Sequence, residues 1–370
     1  MRLLQKECGK CLRHPFLWIV CITFGLFQFL SIYTYVGNAG MRKELRQMHV
    51  AVTDEETASP EYESAYADYK KTYGGMYDTL DMRKILEQKE KMSGYEPQGV
   101  WGSWIVRNYD RLQKRVEQIR KTGEGTYAFY PGSWYKLHST LYGKLWKNLI
   151  LQTAVLMILS MLYLMDYERI YKTQDLVLAT TTGKKMMEKK MLAGALCGLF
   201  YAGLLTVFTL LVFFAAVPFQ NLWHVPVAAC MVAEPRLQMM YPFVTFWRLE
   251  QWRYLLLALV VLVGLLGIVA AVTAAVQLFL QNSYFSFAVL GLLFMGAYLL
   301  AYVQMGNVWD LIRELFNPTV LYATSGGWFM ENDLCLSFAG NEFAVLFCSG
   351  TVAVCLLVVG KRRYHRLDVI

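Results

Sequence analysis

The side chains able to do chemistry are concentrated in one short stretch, DYERIYKTQDLVLATTTGKK (166–185), and in one thiol pair, Cys8 and Cys11 of CGKC. The stretch mixes Glu168, Asp175, Lys184 and Lys185 with an apolar patch that includes Leu176 and Leu178. Such residues form ion pairs and docking contacts. TTGKKMM (181–187) lacks the first glycine and the closing hydroxyl of a phosphate-cradling loop, so it does not read as a nucleotide site. No His-Glu-x-x-His metal pair and no Gly-x-Ser-x-Gly elbow occurs in the chain. Cys8 and Cys11 supply half of a four-ligand zinc site, and with no second pair nearby in sequence they read as reduced thiols.

The elements that carry these residues follow from composition. The 370 residues are 56% hydrophobic and 17% charged, where a soluble domain is nearer a quarter charged. Six windows, 16–36, 148–165, 191–217, 254–280, 284–305 and 343–360, contain no Asp, Glu, Lys, Arg or His. Each is long enough to cross a hydrocarbon core of about 30 Å as a helix. The alternation of a membrane barrel strand is missing, and a helix satisfies its own backbone in lipid. The expected class is therefore an all-α polytopic membrane protein with six transmembrane helices. The first window is weighed against a cleaved signal sequence, and its length favours a retained span within residues 1–36.

Basic residues set the expected orientation. Segments 1–15, 166–190 and 361–370 are rich in Lys and Arg, whereas 218–253 and 306–342 are poor. The positive-inside rule then puts both termini and the 166–190 loop in the cytoplasm of a multi-pass plasma-membrane protein. The net charge of +8 is accounted for by these span flanks and anionic lipid, so no nucleic-acid partner is expected.

Residues 37–147 form the expected extracellular domain. Ile105, Tyr109, Leu112, Val116 and Ile119 are spaced 4, 3, 4, 3, and Tyr62, Tyr66, Tyr69, Tyr73, Met76 and Leu80 repeat the pattern, so the domain reads as mainly helical. The aromatic run before residue 148 suits the headgroup level. The loops 218–253 and 306–342 are apolar and broken by prolines; the second reads as re-entrant or as a cap on the bundle. They carry Cys230 and Cys335 on the same outer side, where a disulfide could join them. Gly194 and Gly198 form a close-approach face for helix packing, within or between chains. Residues 281–283 leave room only for a tight hairpin between spans four and five.

The 166–190 loop resembles the cytoplasmic loop of ABC-type permeases of the type-2 exporter family, through Glu168, Asp175, Leu176, Leu178, Thr180, Gly183 and Lys184. The family's usual Arg after the glycine is Lys184 here. The layout is similar too, with a large outer domain after the first span. The resemblance implies a coupling helix at about 174–183 that docks on a separate ATP-binding subunit, where ATP and Mg are held, so that the chain is a transport subunit and not itself an enzyme. It also implies a second permease copy or a related permease in the working unit. In that frame Glu168 braces the loop through a basic neighbour, Leu176 and Leu178 dock, and Lys184 and Lys185 make surface contacts. The competing reading is a membrane-anchored sensor or scaffold whose outer domain binds a ligand.

Overall fold

The structure, a computed structural model, describes residues 2–37, 64, 67, 71, 75–93, 99–124, 137–173, 183–217, 219, 223–231, 242–303, 308–331 and 338–366. The chain enters as a short amphipathic helix, α1 (Arg2–Leu12), and turns into α2 (Pro15–Val36). Pro15 occupies the first turn of α2, where its missing N–H costs nothing. The Trp18 indole donates to the Leu12 carbonyl at 2.7 Å and fixes the elbow. Then come α3 (Met82–Ser93) and α4 (Gly99–Thr122), a π-helical stretch Ser139–Leu145 running into α5 (Trp146–Met165), one turn α6 (Tyr167–Ile170), and α7 (Gly183–Ala216). The rest comprises α8 (Val227–Met231), α9 (Gln251–Leu280), α10 (Ser283–Ala301), α11 (Val308–Phe316), α12 (Thr319–Ala323) and α13 (Asn341–Arg366).

Six of these, among the described residues, are long and apolar enough to cross a membrane: α2, π-α5, α7, α9, α10 and α13. The protein is thus a helical membrane protein with six candidate spans. The helices do not stop where the charge-free windows stop. The second begins at Ser139 rather than 148, α7 begins at Gly183, and α13 takes in Glu342 and runs on to Arg366. A helix keeps its hydrogen bonds after it leaves lipid, so charged residues continue it into the headgroup zone. The fifth differs the other way, because α10 ends at Ala301 rather than 305.

Close backbone approach organises the bundle. A Cβ on Gly194 would lie 3.0 Å from Met161 Cα, and one on Gly198 would lie 3.0 Å from Met157 Cα, so α7 and α5 touch along that line. The packing face is therefore filled from within the chain. Gln28 on α2 donates to Gln152 on α5 at 2.8 Å, fully inside. The turn between α9 and α10 uses a left-handed Gln281, φ 52°, followed by Asn282, whose side chain accepts from the Tyr284 and Phe285 N–H groups. That cap satisfies orphan donors of α10 and lets two residues reverse the chain.

One end of the bundle carries both termini: Lys361 near the end of α13 lies 3.4 Å from Glu188 near the start of α7, against which α1 also packs. The opposite end carries the domain. There Ile105, Tyr109, Leu112, Val116 and Ile119 of α4 are all buried with Met82 and Ile85 of α3. Ala228 and Val244, from the loop between α7 and α9, close the same core. The tyrosine series 62–73 lies outside the described residues. Arg115 clasps Glu124 through both guanidinium nitrogens, at 3.1 and 2.5 Å, and its Nε donates to the Thr245 carbonyl. Burial pushes the Glu124 carboxyl up, but the hydrogen bonds and charge of Arg115, helped by Thr122 and Arg248, outweigh it and hold the carboxyl below its ordinary value.

Candidate functional site

The loop that the sequence singles out is anchored on both sides. α5 ends at Asp166, where the backbone leaves helical geometry, and α6 adds one further turn that stops at Lys172 in a left-handed conformation, φ 55°. Past Asp166 the chain thus makes one broken turn and does not continue α5. The left-handed residue costs strain for a side chain with a Cβ. Gly183 opens α7 instead of ending the piece before it, with Lys184 and Lys185 in that first turn. Asp175, Leu176, Leu178 and Thr180 lie outside the described residues.

Glu168 is buried between two ammonium groups. It pairs with Lys190 of α7 and, at 3.6 Å, with Lys10 of α1. Lys10 also holds Glu7 at 2.7 Å and lies over the Tyr167 ring, 4.4 Å from its centre. Glu7 and Lys190 are as hidden as Glu168, at 1% and 3% exposure against 8%. Two acids and two bases thus neutralise one another in a low-dielectric pocket, where an unmatched charge would be costly. The cluster binds the N-terminal helix, the end of α5 and the start of α7 into one block.

A second contact carries that block to the α9–α10 turn. Arg169 donates to the Gln281 carbonyl, the Ser283 hydroxyl donates to Leu162 O at 3.3 Å, and the Ser283 N–H faces Asp166 Oδ2 at 3.4 Å. The residues flanking 174–182 therefore touch α1, α5, α7 and the α9–α10 hairpin. The sequence marks Glu168 but not its partners: Lys10 and Lys190 belong to flanks counted only as basic, and nothing in one sequence joins α1 to α7.

Cys8 and Cys11 of α1 both meet a third thiol, Cys197 of α7. Cys8 sits beside Cys197 of α7, and burial pushes its thiol up to about 11, which keeps it protonated. Cys197 donates to the Cys8 carbonyl and the Tyr201 hydroxyl donates to the Cys11 carbonyl, so this face fastens α1 to α7. Cys230 is buried on α8, where the Gln251 amide donates to its sulfur at 3.0 Å; Cys335 lies outside the described residues.

At the domain end the structure brings together titratable groups that the charge-free windows leave out. His138 packs between the Tyr142 and Tyr254 rings, with centres 4.6 and 4.8 Å away. Glu342, 2% exposed, accepts the Phe329 N–H at 2.5 Å and holds that residue at φ 61°. Glu342 stands one residue before a charge-free window and His138 ten, so a window scored on composition passes over both. The π-helical turn between them, in which Trp146 N–H reaches Leu141 O, adds one residue to the turn and buries both Tyr142 and Trp146.

Comparison of the chain with protein-family models, with curated proteins and with solved structures returned no match.

Proposed function

We propose that this chain is the membrane-spanning subunit of an ATP-driven exporter of the ABC type, fuelled by a separate ATPase that docks on the 166–190 loop. In this reading the end bearing both termini faces the cytoplasm, as the basic flanks require. ATP and Mg are held by the partner, and a second permease copy or a related permease completes the unit.

The observation that supports this best is the buried Glu168 cluster. Work passes between proteins through a packed contact with discrete arrangements, and a slack linker would absorb the displacement. A loop that merely joined two spans would gain nothing from buried ion pairs to Lys190 and Lys10 and a further bond to Gln281. Here any push on residues 174–182 meets α5 on one side and α7 on the other, and both are tied to α1 and to the α9–α10 hairpin.

The test is whether a neighbouring reading frame encodes a nucleotide-binding cassette, followed by co-expression of that protein with this chain. Wild type co-purifies with it, and Lys184→Glu/Lys185→Glu reduces that association or uncouples ATP hydrolysis from transport. Unchanged association and transport in the double variant would refute the docking surface. Failure of every neighbouring ATPase to bind wild type would instead favour the sensor reading.

A further inference from the structure

An open cavity of about 720 Å³ lies between α1 and the end of α5. That is the size of a small-molecule site rather than of a surface dimple. One wall is cationic, with Lys6 and Lys10 on α1 and Arg13 just past its end. Lys6 and Arg13 are exposed and make no ion pair among the described residues, whereas Lys10 is already engaged by Glu7 and Glu168. The other wall is aromatic, with Tyr163, Tyr167 and Tyr171 presenting rings and phenolic hydroxyls. Gly9 lies on the floor, and a Cβ there would meet nothing within 4 Å. No carboxylate lines the cavity among the described residues. The chemistry is therefore that of a phosphate anion with an organic body beside it, because cations take the charge and tyrosines take both a polar tip and an apolar flank.

Position decides the source of that phosphate. His14 lines the cavity, and its ring lies 6.3 Å from that of Phe16. Phe16 begins an exposed apolar row along α2 that continues through Ile19, Ile22 and Leu26. The cavity thus opens where the chain enters the first span, with a basic pocket at headgroup level and a greasy track leading away from it. A soluble phosphate would use the pocket and leave the track bare. A phospholipid uses both.

We propose that this cavity binds the headgroup of an anionic phospholipid, with its acyl chains along the exposed face of α2. The lipid would wedge α1 against α5 beside the Glu168 cluster, so its occupancy bears on the position of the block that flanks the loop. The site does not depend on the exporter reading, because lipid retention is measured on the purified chain alone.

The experiment uses full-length protein reconstituted in nanodiscs of phosphatidylcholine with a minor fraction of phosphatidylglycerol. It is then extracted into mild detergent, and the retained lipid is read by native mass spectrometry. Wild type should keep phosphatidylglycerol in preference to phosphatidylcholine. Lys6→Gln/Arg13→Gln should lower that preference by roughly fivefold for each charge removed, about 25-fold together. Both side chains are exposed and unpaired among the described residues, so the variant should melt at the wild-type temperature. Arg362→Gln/Arg366→Gln removes two exposed cations from the same end outside the cavity and should leave retention unchanged. Equal retention of the two lipids by wild type, or an equal loss in the control pair, would overturn the site. Release of phosphatidylglycerol by added inorganic phosphate would assign the cavity to a soluble anion and overturn the lipid.

Discussion

Replacing Glu168 by Gln tests whether the cluster at the base of the loop is held by charge balance. The substitution keeps size and shape and removes one negative charge from a pocket in which Glu7 and Glu168 face Lys10 and Lys190. Lys190 is only 3% exposed, so its ammonium cannot recover water when its partner is neutralised. Breaking a buried pair by removing one member costs about 3–5 kcal/mol. Glu7 remains close by to share the positive charge, so the lower part of that range, about 3 kcal/mol, applies. Lys190→Met alone leaves Glu168 with only the more distant Lys10, 3.6 Å away and shared with Glu7, and should cost a similar amount. The double variant Glu168→Gln/Lys190→Met removes both charges and leaves Lys10 and Glu7 paired at 2.7 Å. It should lie within about 1 kcal/mol of wild type, since a buried pair exchanged for neutral groups of similar volume is close to energetically neutral. Reversible denaturant titration in detergent micelles, followed by tryptophan fluorescence, reads all four proteins. Additive losses, with the double variant worse than either single one, would refute the charge-balance argument. So would single variants within about 0.5 kcal/mol of wild type, the range of an ordinary surface change.

Two further outcomes follow from contacts elsewhere. Gly194→Ala and Gly198→Ala should each destabilise the bundle by about 1–3 kcal/mol, because the new methyl meets backbone atoms of Met161 and Met157 that cannot yield. Gly203→Ala, on the same helix but open, should be neutral or gain up to about 1 kcal/mol; equal melting temperatures for all three would refute the close contact. Glu124 has a folded-state pKa below its unfolded value, so its contribution is complete above the ordinary carboxylate value of 4.5 and is lost as pH falls through the depressed folded value. Protection of the α4 amides, taken relative to the intrinsic exchange rate at each pH, should therefore fall below about pH 4.5 in wild type, and Glu124→Gln should be less protected at neutral pH with a flatter acid response. An unchanged pH profile in the variant would remove Glu124 from the account.

The spans and the helical domain were readable because they depend on patterns local in sequence. A charge-free window of lipid-crossing length needs no knowledge of its neighbours, and neither does the 4, 3, 4, 3 spacing of Ile105 to Ile119, which all fall on the buried face of α4. The window edges were less readable, since Lys144, Lys190 and Glu342 continue helices that began or ended in lipid. The reversal at 281–283 was legible from its length, but the left-handed residue there is Gln281 and not a glycine, so no residue type announced it. Least legible was the ion-pair cluster. Glu168 finds Lys10 and Lys190 only after α1 folds back on α7, an arrangement fixed by burial of Cys11, Cys197 and Tyr201 that single-sequence periodicity does not encode.

Both ends of the bundle are fastened by buried ion pairs, and one helix pair joins them. At the end with the termini the fastening is ionic, through Glu168, Lys190, Lys10 and Glu7. At the domain end the buried pairs Lys89–Glu331 and Arg115–Glu124 are joined by side chains gripping backbone: Glu342 on the Phe329 N–H, Arg115 on the Thr245 carbonyl and Tyr77 on the Ala228 carbonyl. Between them run α5 and α7, held in close contact where Gly194 and Gly198 meet Met161 and Met157. Gln28–Gln152 adds α2 to the pair midway along. α5 leads from beside Glu168 directly to the π-helical turn at Ser139–Leu145, and interiors packed this closely shift as units rather than deform continuously. That turn is where the helix has an extra residue per turn and where His138, Tyr142 and Trp146 meet the segment that ends in Glu331. Relaxing it to regular α geometry would remove the extra residue and rotate the residues before it relative to α5.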